Sequence, residues 1–383
     1  MAALALQKAG IEPAIVEAYE VDAEFVGSFL NLASNGLDAL DTIGIRGAVA
    51  DRGFATPRMV MWSGTGKLLG DVANGLTREG RAGSITIERG RLHAALRAAA
   101  ESHGIPIHRG RRLVDMSSAG GQAVARFSDG SCAAADVIVG ADGLHSQVRR
   151  LIDSRAPSPR YSGQLSLGGR AELQSLPPTP GVFHMVFGGR AFFGYSVPTP
   201  GNVYWFANVE WPDPFDRAAL GAITPAMWRE RLGQLVANDH SPAHRIVRAT
   251  GTELAAYPIF DMPTVPRWHR DGIVIIGDAA HATSPSAGQG ASMAIEDAVT
   301  LARCLRDVSP AADAFAAYDR LRRARVERVV AYSARIGRSK TPGPIGRWLR
   351  DLFMPVALKL VASPAAQAWL YDHPIDWAAR VAA

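Results

Sequence analysis

A chain of 383 residues that is 48% hydrophobic and carries a formal charge of +5 holds enough apolar material for a large core, in two domains or one large interleaved one. Ten basic residues against the single acid Glu327 fall between Arg320 and Arg350; with no groove-reading or aromatic-interleaved motif beside them, they read as a solvated helix face, and no nucleic-acid partner is expected. Cys132 and Cys304 have neither metal-ligand spacing nor the density of a disulfide scaffold, so no metal site is expected and a reducing cytoplasm fits best.

The opening stretch "MAALALQKAGIEPAIVEAYE" places helix-forming residues over 2–9, a glycine where a helix C-cap belongs, and an apolar run from Ala14 to Val16 that ends in Glu17. It reads as the second half of a strand–helix–strand unit. A 3.6-residue period predicts a helix over 91–102, followed by Gly104 and short strands around 105–108, 123–127 and 137–139. From Tyr161 to Trp211 the pattern changes to alternating, aromatic-rich segments broken by Gly and Pro, which predicts an antiparallel sheet. A buried strand over 273–276 follows, then a glycine-rich turn and a long helix from about Ser292. Near the end, "LFMPVALKLVASPAAQAWL" is interrupted by Pro355 and Lys359. It reads as a packed or partner-facing helix pair that leaves a homodimer contact open, with peripheral membrane contact as the alternative and no stable insertion.

Chemistry concentrates in two stretches. In "GIVIIGDAAHATSPSAGQGASMAIEDA" an apolar strand stops at Gly277, Asp278 follows, and Pro285, Gly288 and Gly290 lead into a helix. Unpaired backbone N–H groups and a positive helix end at the mouth of a sheet suit an anionic or polyhydroxyl ligand. In "ADVIVGADGLHSQVRRLI" a second strand ends at Gly140, with Asp142 and Gly143 in the turn and Arg149 on the helix beyond.

The ordered pair of motifs resembles the FAD-dependent aromatic hydroxylases, the single-component flavoprotein monooxygenases that share the fold of para-hydroxybenzoate hydroxylase. The resemblance covers nearly the whole chain. It implies an α/β architecture: a Rossmann-like FAD-binding domain over 1–160 and 256–330, interleaved with an antiparallel-sheet substrate domain over 161–255, plus C-terminal helices over 331–383. It further implies that Glu17 binds the adenosine ribose and that Arg89, in "IERGRLHAAL", contacts FAD. Asp142 and Gly143 would serve the pyrophosphate and the reduced nicotinamide, and Asp278 the ribityl chain. Pro285, Gly288, Gly290 and Ala291 would lie along the flavin, while His281 reads as a structural residue of the turn.

In that family the chain begins with a strand and a Gly-x-Gly-x-x-Gly turn, both absent from this sequence. The expectation is a native start upstream of Met1, or a decayed remnant that binds no flavin.

The activity implied is hydroxylation of a small, electron-rich aromatic compound with dioxygen and NADPH or NADH, through a flavin hydroperoxide. The aromatic sheet would supply the pocket from Phe183, Met185, Phe193, Tyr195, Tyr204 and Phe206, with Phe193, Tyr195 and Tyr204 as the substrate-facing candidates. Tyr195, Tyr204, His184 and Arg190 could each touch a substrate, and the catalytic base stays unassigned. A flavin-dependent reductase or halogenase is the alternative; for a halogenase, none of the four lysines stands in the expected context.

Overall fold

The computed structural model describes residues 1–20, 29–77, 83–211, 215–338, 340, 343–361 and 363–382. In chain order, α1 (Ala2–Lys8) ends at Gly10, whose φ of +79° lets the chain reverse into β1 (Ile15–Val16). Next come β2 (Phe29–Ala33), α2 (Ser34–Thr42), α3 (Arg46–Ala50), β3 (Phe54–Ala55), β4 (Arg58–Ser63), β5 (Leu68–Ala73), β6 (Ser84–Glu88) and α4 (Arg89–Ser102). β7 (Ile107–His108), β8 (Leu113–Ala119), β9 (Gln122–Phe127), β10 (Cys132–Ala135) and β11 (Ile138–Gly140) precede α5 (Gln147–Ile152). β12 (Arg160–Leu173), β13 (Val182–Phe187), β14 (Phe192–Thr199) and β15 (Gly201–Glu210) are followed by α6 (Arg217–Gly221), α7 (Pro225–Val236), α8 (Ala243–Ala249) and β16 (Ala255–Asp261). The last part holds β17 (His269–Arg270), β18 (Ile273–Ile275), α9 (Asp278–His281), a 3-10 turn over Pro285–Ala287, α10 (Gly290–Asp307), α11 (Ala311–Arg338), α12 (Pro344–Val361) and α13 (Pro364–Tyr371).

The α/β part carries two parallel ladders, β1 with β7 and β11 with β18. The second ladder brings the two motifs together: Gly140 pairs with Ile275, and the Ile276 N–H donates to the Gly140 carbonyl at 3.0 Å. α10 runs through the centre of this part, buried on nearly every side. It crosses α2 so closely that a Cβ on Gly36 would lie 2.6 Å from Ser292 Oγ, which explains the glycine.

The largest sheet among the described residues has seven strands in the order β16-β12-β15-β14-β13-β4-β5. It is wider than the segment 161–255, because the hairpin of β4 and β5 joins it through a parallel pairing of β4 with β13. Side chains alternate across the strands. One face sets Phe193, Tyr195, Val203 and Trp205 against Trp228, Leu232, Ile246 and Val247 of α7 and α8. Phe193 and Trp205 stack with centroids 5.4 Å apart at an interplanar angle of 8°, an arrangement that adds about 0.5–1.5 kcal/mol beyond area burial. The other face presents Phe183, Met185, Phe192, Gly194, Tyr204, Phe206 and Asn208.

α12 continues through Pro355 as one helix. Met354 packs with Leu69, Phe187 and Phe192, whereas Ile345, Trp348, Leu352, Phe353 and Val356 are exposed. Among the described residues, no helix is long and apolar enough to cross a membrane.

Candidate functional site

The β18 strand is wholly buried and delivers Gly277 in a backbone conformation (φ +59°, ψ −141°) that side chains resist. The turn exposes the Asp278 side chain, which has no hydrogen-bond partner among the described residues. After the Pro285–Ala287 turn, Gly288 adopts the left-handed conformation at φ +61°, and α10 starts at Gly290 with no side-chain cap on its first N–H groups. The leading end of α10 therefore offers unpaired donors and a partial positive charge. Beside it, Gln289 Nε2, Asn35 Oδ1 and His281 Nδ1 are buried without partners.

A buried charge cluster holds this end of α10 in place. The Arg322 guanidinium of α11 donates to Asp297 Oδ1 at 2.7 Å and to Glu296 Oε2 at 2.6 Å. Arg325 adds two bonds to Glu296, and Asn35 of α2 donates to both Glu296 and Gln289. Asp297 also accepts from the Gly277 N–H at 2.9 Å and pairs with His281. Burial raises the Glu296 carboxyl, but Arg322 and Arg325 outweigh it and hold it at about 2. Asp297 is likewise held below the usual carboxylate range against its burial, by His281 and Arg322. His281 thus has the structural place expected of it. Ser333 of α11 completes the frame by donating to the Ser284 carbonyl and accepting from the Ala287 N–H.

Asp142 stands in the Asp-Gly turn with Gly143 at φ +76°. Its carboxylate is engaged locally: it accepts from Ser146 Oγ and from the Gln147 and Val148 N–H groups, so it caps α5. Arg149, buried on α5, donates to the carbonyls of Ala279 and Leu144 and thereby locks the two motif turns together. Glu17 and Arg89 lie at the far end of the same region, both exposed and both acting on His93 of α4. Burial first, then Arg89, lowers the His93 pKa, with Glu17 opposing.

The aromatic residues expected to meet a substrate are not brought together. Phe193 is 0% exposed and Tyr195 stacks on His184 at 4.7 Å, both on the face that α7 and α8 cover. Burial pushes the Tyr195 phenol up to about 12 and the His184 imidazole down to about 4. Phe193 and Tyr195 are corrected to core residues: helices cover the face that their odd-numbered register selects. Tyr204 lies on the other face, where its hydroxyl donates to Glu88 at 3.0 Å.

That face carries an aromatic cluster to which Phe29 and Phe54 contribute, two residues no sequence signal pointed to. Phe29 lies 5.8 Å from Phe183 and from Tyr204, and 6.3 Å from Phe206; Phe54 lies 5.1 Å from Tyr204. On the same strand as Phe29, Asn31 approaches the Gly288 turn, 3.5 Å from where a Cβ would stand. The aromatic cluster and the Gly288 turn are therefore joined across β2 by Phe29 and Asn31. Lys340 and Asn208, also absent from the sequence reading, lie buried beside Phe192 on this face.

A flavin dinucleotide fits this arrangement. The α10 end and Gly288 present donors to anionic and carbonyl groups, Asp278 presents acceptors to hydroxyls, and the buried unpartnered Gln289 Nε2 and Asn35 Oδ1 stand beside them.

Comparison with known proteins gives the same direction. Residues 1–333 match the family described as FAD binding domain. Aurachin C monooxygenase/isomerase of Stigmatella aurantiaca is 30% identical over 347 residues, covering 90% of this chain and 86% of that protein. The 2-heptyl-3-hydroxy-4(1H)-quinolone synthase of Pseudomonas aeruginosa is 31% identical over 354 residues, covering 90% and 87%. The fold matches Klebsiella pneumoniae HpxO, solved with FAD and uric acid, at a TM-score of 0.84 and 21% identity over 97% of this chain and 93% of that one.

Proposed function

The chain belongs to the FAD binding domain family, and we propose that this flavin-dependent monooxygenase oxygenates a small aromatic compound held in the chamber between β2 and the seven-stranded sheet. The observation that carries the reading is the convergence of Gly277, Asp278, Gly288 and the open end of α10 on one turn, with Phe29, Phe183, Tyr204 and Phe206 across β2 from it. The names of the relatives support it, since one is a monooxygenase/isomerase and another forms a hydroxyquinolone. The exposed Cys132 and buried Cys304, both unpaired, suit a reducing cytoplasm.

Asp278 would accept hydrogen bonds from the ribityl and ribose hydroxyls of FAD, and the N–H groups at the start of α10 would hold its anionic and carbonyl oxygens. Glu17 and Arg89 would serve the adenosine end. Pro285, Gly288, Gly290 and Ala291 would shape the backbone surface on which the ring system rests, with Asp142 and Gly143 keeping the neighbouring turn in register. When bound, FAD supplies two-electron chemistry with NADPH or NADH and the activation of dioxygen. The chain's own work is to orient the aromatic ring and exclude water: Phe29, Phe54, Phe183 and Phe206 wall the chamber, and Tyr204 is held by Glu88.

Asp278→Ala tests the assignment. A charge-assisted hydrogen bond is worth roughly 1.5–3 kcal/mol, so FAD affinity should fall by about tenfold or more. Flavin retained at the wild-type level would refute the role of Asp278. For the reaction, NADPH or NADH consumption should rise when an aromatic compound is added, with an oxygenated product in the mass spectrum. Consumption with every compound and no oxygenated product would refute the monooxygenase reading.

A further inference from the structure

Lys340 lies just past the C-terminal end of α11, whose last turns pack on the Pro285–Ala287 turn. Gly337 packs so tightly on the turn that a Cβ there would lie 3.0 Å from Ser286 Oγ. Arg350 holds the next segment by donating to the Lys340 carbonyl at 3.4 Å and to the Phe187 carbonyl at 3.1 Å. The Lys340 side chain is thereby directed at the chamber face. Its Nζ lies 4.2 Å from the centroid of the Phe192 ring and donates to Asn208 Oδ1 at 3.2 Å. Lys340 is 7% exposed and Asn208 3%.

The donors at this spot outnumber the acceptors. An ammonium carries three N–H bonds, and among the described residues Asn208 Oδ1 is its one hydrogen-bonding acceptor. Because Lys340 can only donate, the Asn208 amide must turn its oxygen toward it. The amide nitrogen then faces away, and it is buried without a partner. Phe192 and Phe206, 5.9 Å apart, connect the pair to Phe183 and Phe29. A methionine or leucine would fill the same space without burying a charge, so packing does not account for a lysine here. Burial alone pushes its ammonium down to about 7, so an anion brought beside it would restore the charged form.

We propose that Lys340 and Asn208 form the oxygen-binding corner of the substrate chamber, and that the substrate is an aromatic compound whose anionic oxygen, a ring phenolate or a ring carboxylate, is held by the Lys340 ammonium and the Asn208 amide N–H. This rests on the chamber being the site of oxygenation, as proposed above. Lys340 would fix which edge of the ring faces the flavin turn, and for a phenol it would keep the oxygen ionised, which makes the ring electron-rich.

The test uses the FAD-loaded protein and two pairs of probes, 4-nitrophenol with 4-nitroanisole and benzoate with benzamide, titrated by difference absorbance. The wild type should prefer the anionic member of at least one pair by about tenfold or more. A preference in the nitrophenol pair identifies the phenolate, which is also visible as its own absorption band, and a preference in the benzoate pair identifies the carboxylate. Lys340→Met should abolish the preference while leaving the neutral probe's affinity and the FAD content unchanged, and Lys340→Arg should keep it. Asn208→Asp, which places a carboxylate against the ammonium, should abolish it with the lysine still present. Equal preference in wild type and Lys340→Met, or none in the wild type, would overturn the proposal. A wild-type protein that takes up no FAD would instead overturn the flavoprotein reading beneath it.

Discussion

Replacing Arg322 by leucine removes the cation from the buried cluster behind the Gly277 and Gly288 turns. The guanidinium makes two ion pairs, to Glu296 and Asp297, both 0% exposed, and a third bond to the Met293 carbonyl. Glu296 would keep Arg325 and Asn35, and Asp297 would keep His281 and the Gly277 N–H. Breaking a buried pair from one side costs about 3–5 kcal/mol, and these remaining partners place the loss near the lower end, about 3 kcal/mol. That is a large part of a typical stability of about 5–15 kcal/mol. With a urea m-value of about 3 kcal/mol/M, the unfolding midpoint should fall by about 1 M at unchanged slope. The pH dependence should move as well. Glu296 contributes stability that is present above its ordinary value of 4.5 and is lost as pH falls toward about 2; without Arg322 that loss should begin at higher pH. Adding Asp297→Asn to Arg322→Leu should recover part of the midpoint, because the carboxylate left without its cation is then neutral. An unchanged midpoint in Arg322→Leu, or losses in the double variant that simply add, would refute the reasoning.

Two further outcomes follow from the two faces of the sheet and from the turn. Phe193→Ala should cost about 3–5 kcal/mol of stability and leave the affinity for an aromatic probe unchanged, whereas Phe206→Ala should weaken that affinity at retained flavin content; the opposite assignment would mean that the chamber lies on the helix-covered face. Gly277→Ala should cost about 1–3 kcal/mol, since its φ is +59° and the new Cβ would lie 3.2 Å from Ala294 Cβ. It should also lower FAD retention, and a Tm and flavin content equal to wild type would contradict the strained turn.

Much of the geometry of the two glycine turns was legible because its signals are local. Gly277, Gly288 and Gly143 mark backbone angles that neighbouring residues cannot take, and the strands over 138–140 and 273–275 are short apolar runs ending at those turns. Roles that depend on remote partners were not legible. The stretch "IEDA" does not announce that Glu296 and Asp297 face Arg322 and Arg325, which lie a helix away. Asp142 was read as a ligand contact, yet its spacing to Ser146 and Gln147 also fits the helix cap that the structure records. Alternation in 192–206 implies two faces, but which one is covered depends on α7 and α8, and the expected substrate-facing set of Phe193, Tyr195 and Tyr204 mixed residues of both. The hairpin 58–73 carries the apolar run "MVMW", and its membership in the large sheet is set by a partner strand more than a hundred residues away.

That parallel seam has a bearing on how the protein comes into being. β4 meets β13 across six residue pairs, from Arg58 with Val182 to Ser63 with Phe187. During synthesis the first hairpin therefore waits, with an open and partly apolar edge, until the ribosome has delivered Phe187. Long-range pairing of this kind is slow and leaves edges exposed to other chains. β13 to β15, which carry Phe183, Tyr204 and Phe206, and β18, which leads into the Gly277–Asp278 turn, all arrive after that hairpin, so the early Phe29 and Phe54 meet their aromatic partners only in a closing stage of maturation.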